Sequence, residues 1–185
     1  KDEIYLADGA WGVEYEEKLT QLKEFNIHAN PTIVNQDELS VKRGIQLNAS
    51  TKDYITAYKM LRPSNIPMDL TNYNYMNIEY ASNYPFTIRL NKDEIDSWNN
   101  QAKCFIPSST TTRTLSIPFH SIQDIKGTNL RMNDVTSISF TLQPNSPSQT
   151  EIDLNIQRVS FSKNPTFPLL LDMKNITIYP NTIQF

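Results

Sequence analysis

The sequence predicts an all-β protein, an antiparallel β-sandwich, and three observations carry that expectation. Apolar and polar residues alternate through Val135-Thr136-Ser137-Ile138-Ser139-Phe140-Thr141-Leu142, and again through Ile152-Asp153-Leu154-Asn155-Ile156-Gln157-Arg158-Val159-Ser160-Phe161. Successive strand side chains point to opposite faces, so a period of two means one dry face and one wet face, as in antiparallel sheets packed against each other. A third run, Ser116-Ile117-Pro118-Phe119, keeps the same rhythm. Between such runs lie rigid polar connections: eleven prolines and many Asn, Ser and Thr, but only four glycines.

Taken in order, residues 1–13 read as a linker or leader, and the start at Lys1 suggests a segment cut from a longer precursor. The sandwich domain is expected over 14–168. Its first stretch, 14–25, carries Leu19, Leu22 and Phe25 at threefold spacing, which suits a short amphipathic helix, while Phe25 and Ile27 equally fit a first strand. Residues 36–50, with Ile45 and Leu47, and 53–61, with Tyr54, Ile55, Ala57, Tyr58 and Met60, read as strands. A loop over 62–67 leads into 68–81. In 86–90, Phe86, Ile88 and Leu90 should face inward and Arg89 outward. Residues 93–100 form a polar excursion holding Trp98. Residues 103–106 and 113–119 suit a hairpin across the Ser/Thr-rich 107–112. The expected core comprises Met76, Ile78, Tyr80, Phe86, Ile88, Leu90, Ile117, Phe119, Ile138, Phe140, Leu154, Ile156 and Phe161. Residues 169–185 form a C-terminal extension that adds an edge strand or begins a further unit.

Several functional classes find no support. No apolar run approaches the roughly 18–20 residues of a membrane span. Seventeen basic and twenty acidic residues interleave to a net charge of −3, which argues against a phosphate backbone as partner. Scarce glycine disfavours phosphate-cradling loops. Cys104 stands alone and reads as a small buried residue. His28 and His120 lie apart with no neighbouring Cys, so no zinc spacing exists, and no serine sits in a Gly-x-Ser-x-Gly elbow. Asp93, Glu94 and Asp96 beside Lys92 suit a solvated surface better than acid/base catalysis. Asp8, Glu14, Asp53 and Asp153 fall near strand ends and are the candidate ligands of a structural calcium ion, with surface carboxylates and loop caps as the simpler reading.

Aromatic residues are the stronger signal. Nine tyrosines and two tryptophans exceed the needs of a small core, and Trp11, Tyr73, Tyr75, Tyr84 and Trp98 occur in polar contexts. Such rings offer an apolar face and a polar edge, which suits the C–H faces and hydroxyls of sugars. Trp98, Tyr84, Arg89, Tyr73 and Tyr75 are therefore the candidate ligand platform, with the planar Arg89 guanidinium able to fork two ligand oxygens. The competing reading has Trp98 packing a loop onto the sandwich edge and Arg89 pairing with Glu79.

The strand order Met60-Leu61, then Leu70-Thr71-Asn72-Tyr73-Asn74-Tyr75-Met76-Asn77-Ile78-Glu79-Tyr80, then Phe86-Thr87-Ile88-Arg89-Leu90, Leu115-Ser116-Ile117-Pro118-Phe119, Asp134-Val135-Thr136-Ser137-Ile138-Ser139-Phe140 and Val159-Ser160-Phe161 resembles galactose-binding-like jelly rolls, which include bacterial carbohydrate-binding modules. The resemblance covers about residues 40–162. It implies an all-β jelly roll acting as a non-catalytic accessory module that brings an attached upstream domain to polysaccharide. The tail Ile176-Thr177-Ile178-Tyr179-Pro180-Asn181 is similar to the opening of type IX sorting domains of Bacteroidetes, with Thr182 where a second proline is expected. That likeness implies a secreted or cell-surface protein. The rival readings are a structural domain packing on an upstream enzyme, and a small hydrolase or lyase built on the sandwich.

Overall fold

The computed structural model describes residues 8–30, 37–95, 97–124, 126–127 and 131–170. Eleven strands follow in chain order: β1 (Trp11–Tyr15), β2 (Thr20–His28), β3 (Glu38–Val41), β4 (Gly44–Thr51), β5 (Ile55–Met60), β6 (Tyr75–Ser82), β7 (Phe86–Lys92), β8 (Ala102–Ile106), β9 (Ser109–Pro118), β10 (Val135–Leu142) and β11 (Thr150–Ser162). They make two sheets, β1-β5-β10-β7-β8 and β2-β4-β11-β6-β9, with β3 also on β11. Every pair of neighbouring strands is antiparallel. The fold is an antiparallel β-sandwich of the jelly-roll kind.

The alternation sets the packing. Ile138, Phe140 and Leu142 of β10 face Ile78, Leu154, Ile156 and Phe161 of the other sheet's strands in one fully buried core. Trp11 stacks on Phe140 with centroids 5.8 Å apart, and Phe86 meets Tyr80 edge-on at 5.2 Å. Of the expected core residues all are buried except Phe119, which is half-buried in a short 3-10 turn and packs against Phe161.

Four local expectations differ from the structure. Residues 11–13, expected in the leader, belong to β1, because Trp11 buries its ring against Phe140 and the strand pairs with β5. The stretch 14–25 contains no helix: β1 ends, a turn in which Thr20 N–H donates to the Glu16 carbonyl reverses the chain, and β2 begins. Strand pairing with β4 wins over the threefold spacing. The stretch 36–50 divides into β3 and β4 at Arg43, whose φ of 63° breaks the extended chain. The expected hairpin of 103–106 with 113–119 does not form, since β8 pairs with β7 in one sheet and β9 with β6 in the other. Pro107 marks the crossing, and its carbonyl accepts the Tyr80 hydroxyl.

Beyond β11 the chain lies over the outer face of the second sheet. Thr166 and Phe167 N–H groups donate to Ser116 Oγ, and Ser116 meets Leu169 in a parallel bridge. The motif at 176–181 lies outside the described residues.

Candidate functional site

Register aligns the solvent-facing residues of the first sheet into rows. One row runs Gly12, Tyr58, Ser139, Arg89, Lys103 across all five strands. Beside it runs Glu14, Thr56, Thr141, Thr87, Phe105, and on the other side Met60, Ser137, Asn91. Strands lie about 4.8 Å apart, so the first row spans roughly 19 Å. The central strand β10 contributes only short hydroxyl side chains, while the strands flanking it carry Tyr58, Met60, Arg89 and Asn91. Short residues between long ones make a trough. Ser137, Ser139, Thr141 and Thr56 are accordingly buried although they lie on the outward face.

One wall is the loop between β7 and β8, folded back over the sheet. Gln101 staples its base, accepting from Lys92 N–H at 2.8 Å and donating to the Lys92 and Ile95 carbonyls. Lys92 fixes the loop to the start of β10 through Glu94 and Asp134. Burial alone would lower the Lys92 pKa, but those hydrogen bonds and charges leave it raised, so the anchor stays protonated. In this loop a short 3-10 turn, Trp98–Asn100, sets the Trp98 ring 3.5 Å from the Arg89 guanidinium. A cavity of about 280 Å³ opens beneath it, lined by Met60, Asn65, Asn91, Lys92, Asp93, Trp98, Gln101, Thr136 and Ser137.

Tyr58 forms another wall. A Cβ on Gly12 would lie 2.3 Å from the tip of the Tyr58 ring, so the ring lies down across β1 where only glycine leaves room. On the edge strand, Phe105 is 63% exposed, and Trp98 is 42% exposed. These two are the only aromatics among the exposed large hydrophobic residues described, and both lie on this side of the molecule.

Hydrogen bonding in the trough is incomplete. Asn91 Nδ2 donates to Ser137 Oγ at 2.9 Å, and Thr56 and Thr141 share a hydroxyl contact at 3.0 Å. Asn91 Oδ1 and Arg89 Nε, however, are buried without a partner. Burial lowers the Arg89 pKa, with no carboxylate to oppose it. On the outer face of the second sheet the charged groups are paired, Lys23–Glu151, Gln46–Asp153, Asn48–Glu24 and Arg158–Glu38, and the buried atom left without a partner there on β11 is the neutral Asn155 Oδ1.

The structure brings Trp98 and Arg89 together, with Arg89 pointing away from Ile88 and Leu90. Glu79 lies on the other sheet opposite Thr114 and Arg158, so the alternative pairing with Arg89 does not occur. Tyr84, Tyr73 and Tyr75 do not join the trough. Tyr84 packs at the β6–β7 hairpin, Tyr73 leans on Phe161, and Tyr75 sits on β6 opposite Pro118 and Ser162. Tyr58, Phe105, Lys103 and Asn91 were not singled out from the sequence. Strand parity was the available signal, since each shares the outward phase with Arg89 or follows from its register.

The candidate calcium ligands are dispersed. Asp8 bonds to Lys59 and Arg43, Asp153 accepts from Gln46, and Glu14 and Asp53 flank Tyr54, whose pKa is raised by burial and by their charges. Among the described residues no three His, Cys, Asp or Glu side chains group as a metal site. Cys104 is buried and its thiol is pushed up to about 12, which removes it as a nucleophile. No helix among the described residues is long and apolar enough to cross a membrane.

No family model matches the sequence, and no curated protein matches it. Solved structures do. The fold is similar to the family 11 carbohydrate-binding module from Clostridium thermocellum in complex with a β-1,3-1,4-mixed-linked tetrasaccharide, with TM-score 0.56 and 14% identity, covering 88% of this chain and 91% of that one. It is also similar to the family 11 module of a cellulosomal cellulase of Clostridium thermocellum, with TM-score 0.55 and 14% identity, covering 87% of this chain and 89% of that one. At this identity the likeness establishes a shared β-sandwich fold.

Proposed function

We propose that the chain is a non-catalytic carbohydrate-binding module that holds a length of polysaccharide in the trough of the first sheet. The observation that carries this reading is the pairing of exposed aromatic rings, Trp98 and Phe105, with a floor of hydroxyl and amide groups on one face. Rings stack on sugar C–H faces, and Ser137 and Asn91, which line the cavity, exchange hydrogen bonds with sugar hydroxyls. Tyr58 provides the far wall. A protein of this fold binds a mixed-linked tetrasaccharide, which supports the same class of ligand here. The module serves a larger secreted or cell-surface protein, whose upstream domain it brings to polysaccharide. The sequence 176–181, with its likeness to Bacteroidetes sorting domains, supports that setting. Weak single-site binding would gain from such tethering.

The test is affinity electrophoresis and calorimetry of the intact chain against a glycan panel that includes mixed-linked β-1,3-1,4-glucan. At least one glycan binds, and Trp98→Ala weakens it at least tenfold, about 1.4 kcal/mol. The fold survives that change, since Trp98 is 42% exposed. If no glycan binds the wild type, the module is an interaction domain and this reading falls.

A further inference from the structure

Four cationic side chains are buried among the described residues: Lys59, Lys92, Arg158 and Arg89. Lys59 has Asp8, Lys92 has Glu94 and Asp134, and Arg158 has Glu38. Arg89 has no carboxylate, although it is only 6% exposed. Its Nη1 reaches the neutral Thr141 hydroxyl at 3.3 Å, and its Nε is unpartnered. A buried charge without a counter-charge is costly, and the cost is relieved by an anion placed against it.

A second observation points the same way. Lys103 stands directly opposite Arg89 across β7 and β8, on the same face, and no ion pair is formed by Lys103 among the described residues. Cross-strand partners have Cβ atoms about 5 Å apart, and like charges so placed repel. This pair of cations occurs on a chain whose net charge is −3. Trp98 covers the flat face of the guanidinium, which leaves the in-plane N–H edge as the route for an acceptor.

Resting on the reading of the trough as a glycan site, we infer that its ligand is an acidic polysaccharide, with a sugar carboxylate or sulfate ester seated between Arg89 and Lys103 while the ring beside it stacks on Trp98 or Phe105. The shared chemistry is an oxyanion on a sugar. A guanidinium fork takes either a carboxylate or a sulfate through two parallel N–H···O bonds, and the ammonium of Lys103 adds a point charge.

The experiment compares each acidic polymer with its neutral counterpart, using the intact chain in low salt. Polygalacturonate is set against carboxyl-reduced polygalacturonate, and carrageenan against agarose. At least one acidic polymer should bind tenfold or more tighter than its counterpart, with a preference that declines as salt is raised. The first pair winning assigns a carboxylate, the second a sulfate. Arg89→Gln and Lys103→Gln should each cut that preference at least fivefold. Lys103→Gln, on a half-buried edge-strand position, keeps the test decisive should Arg89→Gln fail to fold. Neutral glycans binding as well as acidic ones, with Trp98 still required, overturn this inference and leave the glycan-binding reading standing. An acidic preference untouched by either variant also overturns it. Binding to no polymer of either kind removes both.

Discussion

Removing Asp8 tests how the first strand is held. Lys59 occupies an inward position of β5, opposite Trp11 and Ile138, and is 1% exposed. Its ammonium reaches Asp8 Oδ1 and the Gly9 carbonyl, each at 2.5 Å, and lies 5.8 Å from the centroid of the Trp11 ring. Taking away one partner of a buried ion pair leaves an uncompensated charge, at a cost of about 3–5 kcal/mol. The Asp8 side chain is 12% exposed and the Gly9 carbonyl would remain, so Asp8→Ala belongs at the lower end, about 3 kcal/mol. For a chain of this size that lowers Tm by about 6–12 °C. Arg43 also bonds to Asp8 but is 39% exposed, so Arg43→Ala should cost under about 1 kcal/mol. The discriminating variant is Asp8→Ala with Lys59→Met, which removes the stranded charge and should recover much of the loss. Burial lowers the Lys59 pKa, and Asp8 opposes that shift. Without Asp8 the folded value falls further. A base whose folded pKa lies below its unfolded one is penalised while charged, and the penalty is relieved as pH rises from the folded value towards about 10.4. The deficit of Asp8→Ala should therefore shrink between neutral pH and about pH 10. The assay is urea unfolding across that range, with unchanged slope. A loss below about 1 kcal/mol, or no recovery in the double variant, would refute the reasoning.

Two further outcomes follow from the same geometry. Phe140→Ala should cost about 4 kcal/mol, because the ring is fully buried between Trp11 and Phe86; a loss below about 2 kcal/mol in urea unfolding would mean that the sheets close over the gap. Gly12→Ala should lift the Tyr58 ring off β1 and reduce glycan affinity severalfold while changing stability by less than about 1 kcal/mol, because the atoms in the way are the tip of one side chain; unchanged affinity in calorimetry would remove Tyr58 from the trough.

The parts of this fold legible in the sequence are those governed by local alternation. The runs at Ile138-Phe140-Leu142 and Ile152-Leu154-Ile156 reveal their buried faces because nothing interrupts the period of two. Arg89 could be placed outward for the same reason. Tyr58 was obscured by its neighbour: Lys59 occupies the inward phase of β5, so the strand reads as mixed and its outward tyrosine looks like core. Pairing across the sandwich was not legible. Residues 107–112 have turn composition whether the chain doubles back in one sheet or crosses to the other, and only the partners of β8 and β9, far away in sequence, decide it. Tyr73 and Tyr75 show the corresponding limit for the site. Polar sequence neighbours suggest exposed rings, yet Tyr73 rests on Phe161, which lies on a strand formed much later in the chain.

Three of the four buried cations are paired with carboxylates that dock segments of the sandwich, and the fourth, Arg89, is not. Lys59 ties the segment at 8–9 to β5, Lys92 ties the loop after β7 to the start of β10, and Arg158 ties β11 to Glu38 on β3 while lying 5.6 Å from the Phe167 ring of the tail. In each case a carboxylate distant in sequence or on a neighbouring loop supplies the counter-charge, and the pair specifies where a segment docks. Arg89 has no such carboxylate: its neighbours are the Trp98 ring of the β7–β8 loop, a threonine hydroxyl and the cation Lys103. A structural ion pair would call for a carboxylate that the described chain does not provide, and a solvent-facing role would not require burial. Desolvated, unpaired and set in a trough beside exposed aromatic rings, Arg89 has the environment of a group whose counter-charge arrives with the ligand.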